Sequence, residues 1–274
     1  MIMKTILITG ATDGIGLATA KELARQGHEL VLHGRSEEKV MRACLAIRTA
    51  VPHASLLHMV YADLGDLADV ARMAHELIMR LPRLDVLINN AGVYMTERKT
   101  TRDGFEMTLA VNHLAHFLLT SLLLPLLKES AAPRVVTVSS MVHTSGRIVF
   151  EDMNSERRFD GYHAYANSKL ANALFANELA RREPWLTSNS LHPGVIGTKL
   201  LHAGFDIAGD AVESGALTPV YLATSPEVAK VSGRYFVDSK ETAAAAQALD
   251  QQLAQRLWAW SEDTLSSVSG LNLR

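Results

Sequence analysis

Short apolar runs alternate with amphipathic stretches along the whole chain. Apolar runs of strand length fall at residues 4–9, 29–33, 55–61, 84–88, 134–138, 186–191 and 233–237. Between them, hydrophobic positions recur at helical spacing over Leu17 to Gln26, Glu37 to about Thr49, Asp66 to Arg80, about Arg102 to Glu129, Tyr165 to about Arg182, and Glu213 to Thr224. A terminal helix is expected from about Asp250 to Glu262, and the Ala-rich stretch 243–246 reads as helix or linker. Strand–helix units in tandem, without internal repeats, predict an α/β fold: one doubly wound domain of seven mainly parallel strands with helices on both faces. One domain over 1–274 accounts for the chain, its ligand-binding part about 1–140 and its catalytic and substrate part about 140–274.

Composition narrows the partners. The 27 basic and 29 acidic residues are scattered and leave a net charge of −2, which provides no electrostatic footprint for nucleic acid or an anionic membrane. The single cysteine, Cys44, excludes an internal disulfide, and no Cys/His cluster has the spacing of a metal site. A reducing, cytoplasmic setting is expected. Met1 to Thr9 is too short and too quickly followed by glycines to be a signal peptide or a membrane span, so a soluble protein is expected.

The chemistry begins where the first strand ends. Gly10-Ala-Thr12-Asp13-Gly14-Ile15-Gly16 joins that strand to a helix. Glycines there let backbone approach a pyrophosphate, and the helix N-terminus favours its charge, so a Rossmann-type dinucleotide site is implied. The second strand ends in Gly34-Arg35-Ser36. An acidic side chain at this point would hold ribose hydroxyls, whereas an arginine suits a 2′-phosphate. The third strand ends at Asp63-Leu64, and the fourth runs into Asn89-Asn90-Ala91-Gly92, at the carboxyl end where open α/β sheets bind ligands. Tyr165 and Lys169 stand four residues apart on one helix face. A cation beside a phenol favours phenolate, which makes the proton transferable nearer neutral pH, so the pair suits general acid/base work.

Thr9-Gly10-x-x-x-Gly14-Ile15-Gly16, Asn89-Asn-Ala-Gly92 and Tyr165-x-x-x-Lys169, in that order and spacing, resemble the short-chain dehydrogenase/reductase superfamily from Lys4 to about Val237. The resemblance implies a catalytic Ser140 that orients the substrate oxygen and an Asn112 that helps hold a water linking Lys169 to solvent. It also implies that Lys169 binds the nicotinamide ribose, and that Val195 and Thr198, after Pro193-Gly194, hold the nicotinamide carboxamide. His113 and His116 are expected to be packing or surface residues. The long interval Met141 to Ala164, with Met141-Val-His-Thr-Ser-Gly-Arg-Ile-Val-Phe-Glu-Asp-Met153, is similar to the branch containing retinol dehydrogenases and the WW-domain oxidoreductases, as is Ser168-Lys-Leu-Ala-Asn172.

The expected activity is hydride transfer between a nicotinamide cofactor and a carbonyl or secondary alcohol. NADP(H) is favoured over NAD(H) on Arg35 and Ser36, against which stand Asp13 in the glycine loop and the nearby Glu37 and Glu38. Two alternatives are a nucleotide-binding redox sensor without turnover, for which a tuned phenol has no use, and a nucleotide-sugar epimerase or dehydratase, whose glycine spacing and larger carboxyl-terminal region are missing. Lys199 to Val212, with Leu200, Leu201, Phe205 and Ile207, has the composition of a mobile lid over an apolar ligand. An apolar substrate follows; retinoids specifically do not. The Leu-rich helix at 102–129 and the helix after Tyr165 carry more apolar residues than packing on a sheet requires, which points to homo-oligomerisation.

Overall fold

The computed structural model describes residues 2–205 and 207–268. Strand β1 (Thr5–Ile8) leads through the glycine turn to α1 (Gly14–Arg25), β2 (Glu29–Gly34), α2 (Glu37–Ala50), β3 (Leu57–Tyr61), α3 (Leu67–Arg80) and β4 (Val86–Asn89). The second half runs α4 (Met107–Leu109), α5 (Ala115–Lys128), β5 (Arg134–Val138), α6 (Gly161–Arg182), β6 (Thr187–His192), α7 (Lys199–Gly204), α8 (Val212–Thr224), β7 (Tyr235–Val237), β8 (Lys240–Thr242) and α9 (Gln251–Ser267). The sheet order is β3-β2-β1-β4-β5-β6-β7-β8, parallel through β7 and closed by an antiparallel β8. That eighth strand adds to the seven expected; it is three exposed polar residues, Lys-Glu-Thr, with no apolar run to announce it.

Strand alternation builds two cores. Leu7, Val31, Leu87 and Val135 face α3, α5, α6 and α9, while Ile6, Ile8, Leu30, Leu32, Val86, Ile88 and Val136 face α1, α2 and α8. The order reverses at β1, which pairs with β2 on one side and β4 on the other. A crevice therefore opens between the carboxyl ends of those strands.

The helix expected over 102–129 starts at Met107, where the buried Glu106 carboxylate accepts from the N–H groups of Thr108 and Leu109 at 2.8 Å. Residues Ala110–Leu114 form a π-helical turn that separates α4 from α5. The whole span Met107–Lys128 is long and apolar enough to cross a membrane by length and composition, yet it is mostly buried within the protein. Its apolar surplus is met inside the chain. Trp258 of α9 packs edge-on against Phe117 at 4.7 Å and stacks on Phe175 at 5.8 Å, and His113 bonds Ser261 at 2.9 Å. The 141–164 interval packs on the same side, with Ile148 and Phe150 against a cluster containing Leu170, Leu174 and Leu257. A homo-oligomer through this face would first have to displace α9.

Candidate active site

A cleft of about 1210 Å³ runs along the carboxyl ends of the strands. Its floor is the glycine turn. Gly10 and Gly14 adopt positive φ (67° and 50°), and a Cβ on Gly16 would lie 2.2 Å from the Gly10 carbonyl oxygen. Only glycine lets α1 approach the turn this closely. Two buried side chains hold the turn from behind. Thr9 Oγ1 accepts from the N–H groups of Asn90 and Ala91 at 2.9 and 3.0 Å, joining β1 to the Asn90–Gly92 segment. His33 Nδ1 accepts from Gly10 N–H at 3.1 Å while its Nε2 donates to the Ala62 carbonyl at 3.1 Å. Burial pushes the His33 pKa down to about 4, so this neutral tautomer persists at physiological pH.

Most of the residues expected to contact the cofactor line this cleft: Gly10, Thr12, Asp13, Gly14, Ile15, Gly16, Arg35, Asp63, Leu64, Asn90, Ala91, Gly92, Tyr165, Lys169, Pro193, Gly194, Val195 and Thr198. Ser36 does not; it stands at the N-cap of α2. Arg35 is joined along the cleft wall by Lys39 and Arg42 from α2, two cations the sequence reading missed although they lie four and seven residues beyond it. Of the features that spoke against a phosphate there, Glu37 and Glu38 do not line the cleft, whereas Asp13 does. Asp13 forms an ion pair with Lys199 across the cleft, and Glu38 pairs with Arg42 at 3.5 Å.

At the nicotinamide end, α6 begins at Gly161, capped by Asp160, whose carboxylate accepts from His163 N–H at 2.9 Å. Tyr165 and Lys169 follow one turn apart and are 6 % and 2 % exposed. Lys169 was expected to depress the phenol pKa. In the structure burial raises the Tyr165 pKa, opposed by a hydrogen bond from Ser140, and burial lowers that of Lys169 to about 8. A dry pocket disfavours both charged forms. Ser140 follows β5, two residues beyond its last position, beside the phenol. Its Oγ accepts from Val142 N–H at 3.4 Å, which leaves the hydroxyl proton free to donate.

Asn112 lies behind the cleft, fully buried in the π turn. Its amide takes both polar groups of Val93, Oδ1 from N–H at 2.8 Å and Nδ2 to the carbonyl at 3.0 Å, and also donates to Ser168 Oγ at 2.9 Å. A Cβ on Gly92 would sit 3.5 Å from both Asn112 Oδ1 and Lys169 Nζ, so the two functional groups flank one small gap. His116 is buried and is more than packing. Its Nδ1 donates to the Asn112 carbonyl at 3.1 Å and its Nε2 faces Thr9 Oγ1 at 2.9 Å, linking the π turn to the glycine loop. The Thr9 partner could not be inferred from periodicity, because it lies 107 residues away in the chain.

Over the phenol sits an aromatic group. Tyr94 is 5.5 Å from both Tyr165 and Phe205, and Phe205, just beyond α7, is 6.4 Å from Tyr165. Met141, Val142, Leu200, Leu201, Phe205 and Ile207 complete an apolar wall. Position 206 of the stretch expected to form a lid lies outside the described residues.

The glycine cradle, the amide-bearing β4 end and the Tyr165–Lys169–Ser140 constellation together fit a nicotinamide dinucleotide, and a short chain dehydrogenase family model matches residues 4–206. The chain belongs to the short chain dehydrogenase family and is an NAD(P)-dependent oxidoreductase acting on CH–OH groups. Among its relatives, Retinol dehydrogenase 14 of Mus musculus is 44% identical over 283 residues, covering 94% of this chain and 85% of that protein. A crystal structure of an uncharacterized protein from Mycobacterium Paratuberculosis superposes with a TM-score of 0.81 at 35% identity, covering 98% of this chain and 95% of the other. A short chain dehydrogenase from Shigella flexneri, complexed with NADP, superposes with a TM-score of 0.69 at 27% identity over 86% of this chain and 97% of its own.

Proposed function

We propose that the protein is an NADP(H)-dependent dehydrogenase/reductase of apolar carbonyls and alcohols. The observation that carries the reading is the placement of Tyr165, Ser140 and Lys169 around one end of a cleft whose other end is lined by Arg35, Lys39 and Arg42. The bound nicotinamide supplies or takes the hydride. Tyr165 gives its phenolic proton to the developing alkoxide, or removes the alcohol proton in reverse, and Ser140 donates to the same oxygen and orients it. Lys169, held in the dry pocket, binds the ribose hydroxyls and stabilises phenolate as it forms, and Asn112 completes the route by which that proton is exchanged. Thr198 and the Val195 backbone hold the carboxamide end.

Arg35 presents a planar fork that suits a phosphate, and no carboxylate at the β2 end lines the cleft to take ribose hydroxyls instead. The apolar wall of Met141, Val142, Leu200 and Phe205 beneath Tyr94 supports a hydrocarbon-bearing substrate. Retinol dehydrogenase 14 is named for such a molecule. The even spread of charge and the lone Cys44 support a cytoplasmic setting. The test is a panel of aldehydes, ketones and alcohols followed by cofactor absorbance with NADPH and NADH. Faster turnover of bulky apolar carbonyls with NADPH is expected; a charged sugar or acid as the far better substrate would refute the proposal.

A further inference from the structure

Ser140 is held in place by one side chain that the reaction itself does not use. It leaves β5 in extended backbone and caps the short 3-10 turn Met141–Ser145. Its carbonyl accepts twice from His143, from the backbone N–H at 3.1 Å and from the ring Nδ1 at 2.7 Å. A carbonyl only accepts, so Nδ1 carries the proton and Nε2 is left as an acceptor. Nε2 takes the N–H of Ala245 at 3.0 Å, 102 residues further along the chain. The ring is 3 % exposed and lies against Tyr235 of β7 at 4.6 Å. Both nitrogens are thus spent, in one tautomer, between the catalytic serine and the segment that leads into α9. Burial lowers the pKa of His143, which keeps the neutral ring that this pair of bonds requires.

On the reading that Ser140 orients the substrate oxygen, we infer that His143 is a positioning residue for it: its Nδ1 donor holds the Ser140 carbonyl and so fixes where the Ser140 hydroxyl meets the reacting atom, while the bond from Ala245 secures the ring. Side chains at the tip of a strand are otherwise free to shift with the turn that follows. A displacement of about 1 Å at a reacting centre costs on the order of a hundredfold in rate. The clamp also explains why the Ala-rich stretch before α9 is pinned down at a point where its own side chains offer nothing to bond.

The experiment compares His143→Phe, His143→Asn, Ser140→Ala and the double variant Ser140→Ala/His143→Phe in NADPH-dependent reduction of nonanal and all-trans-retinal, with NADPH affinity measured separately by fluorescence. His143→Phe should lower kcat by roughly ten- to a hundredfold with KM and NADPH affinity within about twofold. His143→Asn keeps an N–H donor near the Nδ1 position and should recover most of that loss. In the Ser140→Ala background His143→Phe should cost less than about twofold, because its effect passes through the serine. Normal turnover by His143→Phe, or the same loss with and without Ser140, would overturn the inference. Should His143→Phe fail to fold, a tenfold loss in folded His143→Asn overturns it and near-normal turnover supports it. Undiminished turnover by Ser140→Ala would instead overturn the reading on which it rests.

Discussion

The Lys169 ammonium donates to the Val138 carbonyl at 3.0 Å and lies 5.5 Å from the centre of the Tyr165 ring. It is therefore fixed by β5, not by the phenol, and acts on Tyr165 through space. The Val138 carbonyl keeps a second donor, Asn172 Nδ2 at 3.2 Å. Replacing the lysine with an apolar residue of similar length would leave no orphaned acceptor.

Lys169→Met is therefore expected to stabilise the protein while removing turnover. The folded pKa of Lys169 is about 8 against an ordinary 10.5, so between these values the unfolded chain binds more protons and stability rises with pH. Below pH 8 the full penalty of burying the charge applies. The variant should melt at a higher temperature than wild type at pH 7, and the gap should narrow from pH 8 to 10.5. An equal or lower melting temperature at pH 7 would contradict this.

Tyr165→Phe should lose at least about a thousandfold in kcat and retain NADPH affinity, because only the transferable proton is removed. Single-turnover kinetics and a binding titration separate the two quantities. Near-normal turnover would sink the assignment of Tyr165.

Arg35→Ala should cut kcat/KM with NADPH by roughly ten- to a hundredfold, as a charge-assisted hydrogen bond contributes about 1.5–3 kcal/mol. The loss with NADH should be much smaller. Equal losses with the two cofactors would refute the role of Arg35.

Acid should destabilise the protein from pH 6.5 downward. His33 and His113 are held at about 4 and His116 at about 3 by burial, against an ordinary 6.5. Between those values the unfolded chain binds more protons, so each histidine lowers stability by up to about 1.4 kcal/mol per pH unit as pH falls. His113→Leu should flatten the dependence of the urea midpoint on pH between 6.5 and 4. Ser261 Oγ, its partner, still donates to the Leu257 carbonyl at 2.8 Å. An unchanged slope would count against the buried neutral ring.

Trp258→Ala should cost about 3–5 kcal/mol, the usual range for deleting a buried tryptophan. It removes the cover from Phe117 and Phe175 and the ring under the Arg182 guanidinium. The wild-type chain should sediment at one subunit mass at micromolar concentration, whereas the variant should show concentration-dependent association. A stable wild-type dimer would show that another surface is used.

Periodicity and turn chemistry determined the strand–helix order, the parallel sheet and the glycine turn, because each depends on neighbours a few residues apart. The Tyr165–Lys169 pair was legible for the same reason, since a helix alone places both on one face. What the tertiary structure decided depends on groups distant in the chain and on water removed by packing. The direction of the Tyr165 and Lys169 pKa shifts follows from burial, which spacing does not reveal. The π turn at Asn112, the links from His33 to Gly10 and from His116 to Thr9, and the Asp13–Lys199 ion pair all join segments that only the folded sheet brings together. The Leu-rich helix is the clearest case: its sequence records an apolar face awaiting partners, and only the folded chain identifies them as α3 and, at Phe117, Trp258 of α9.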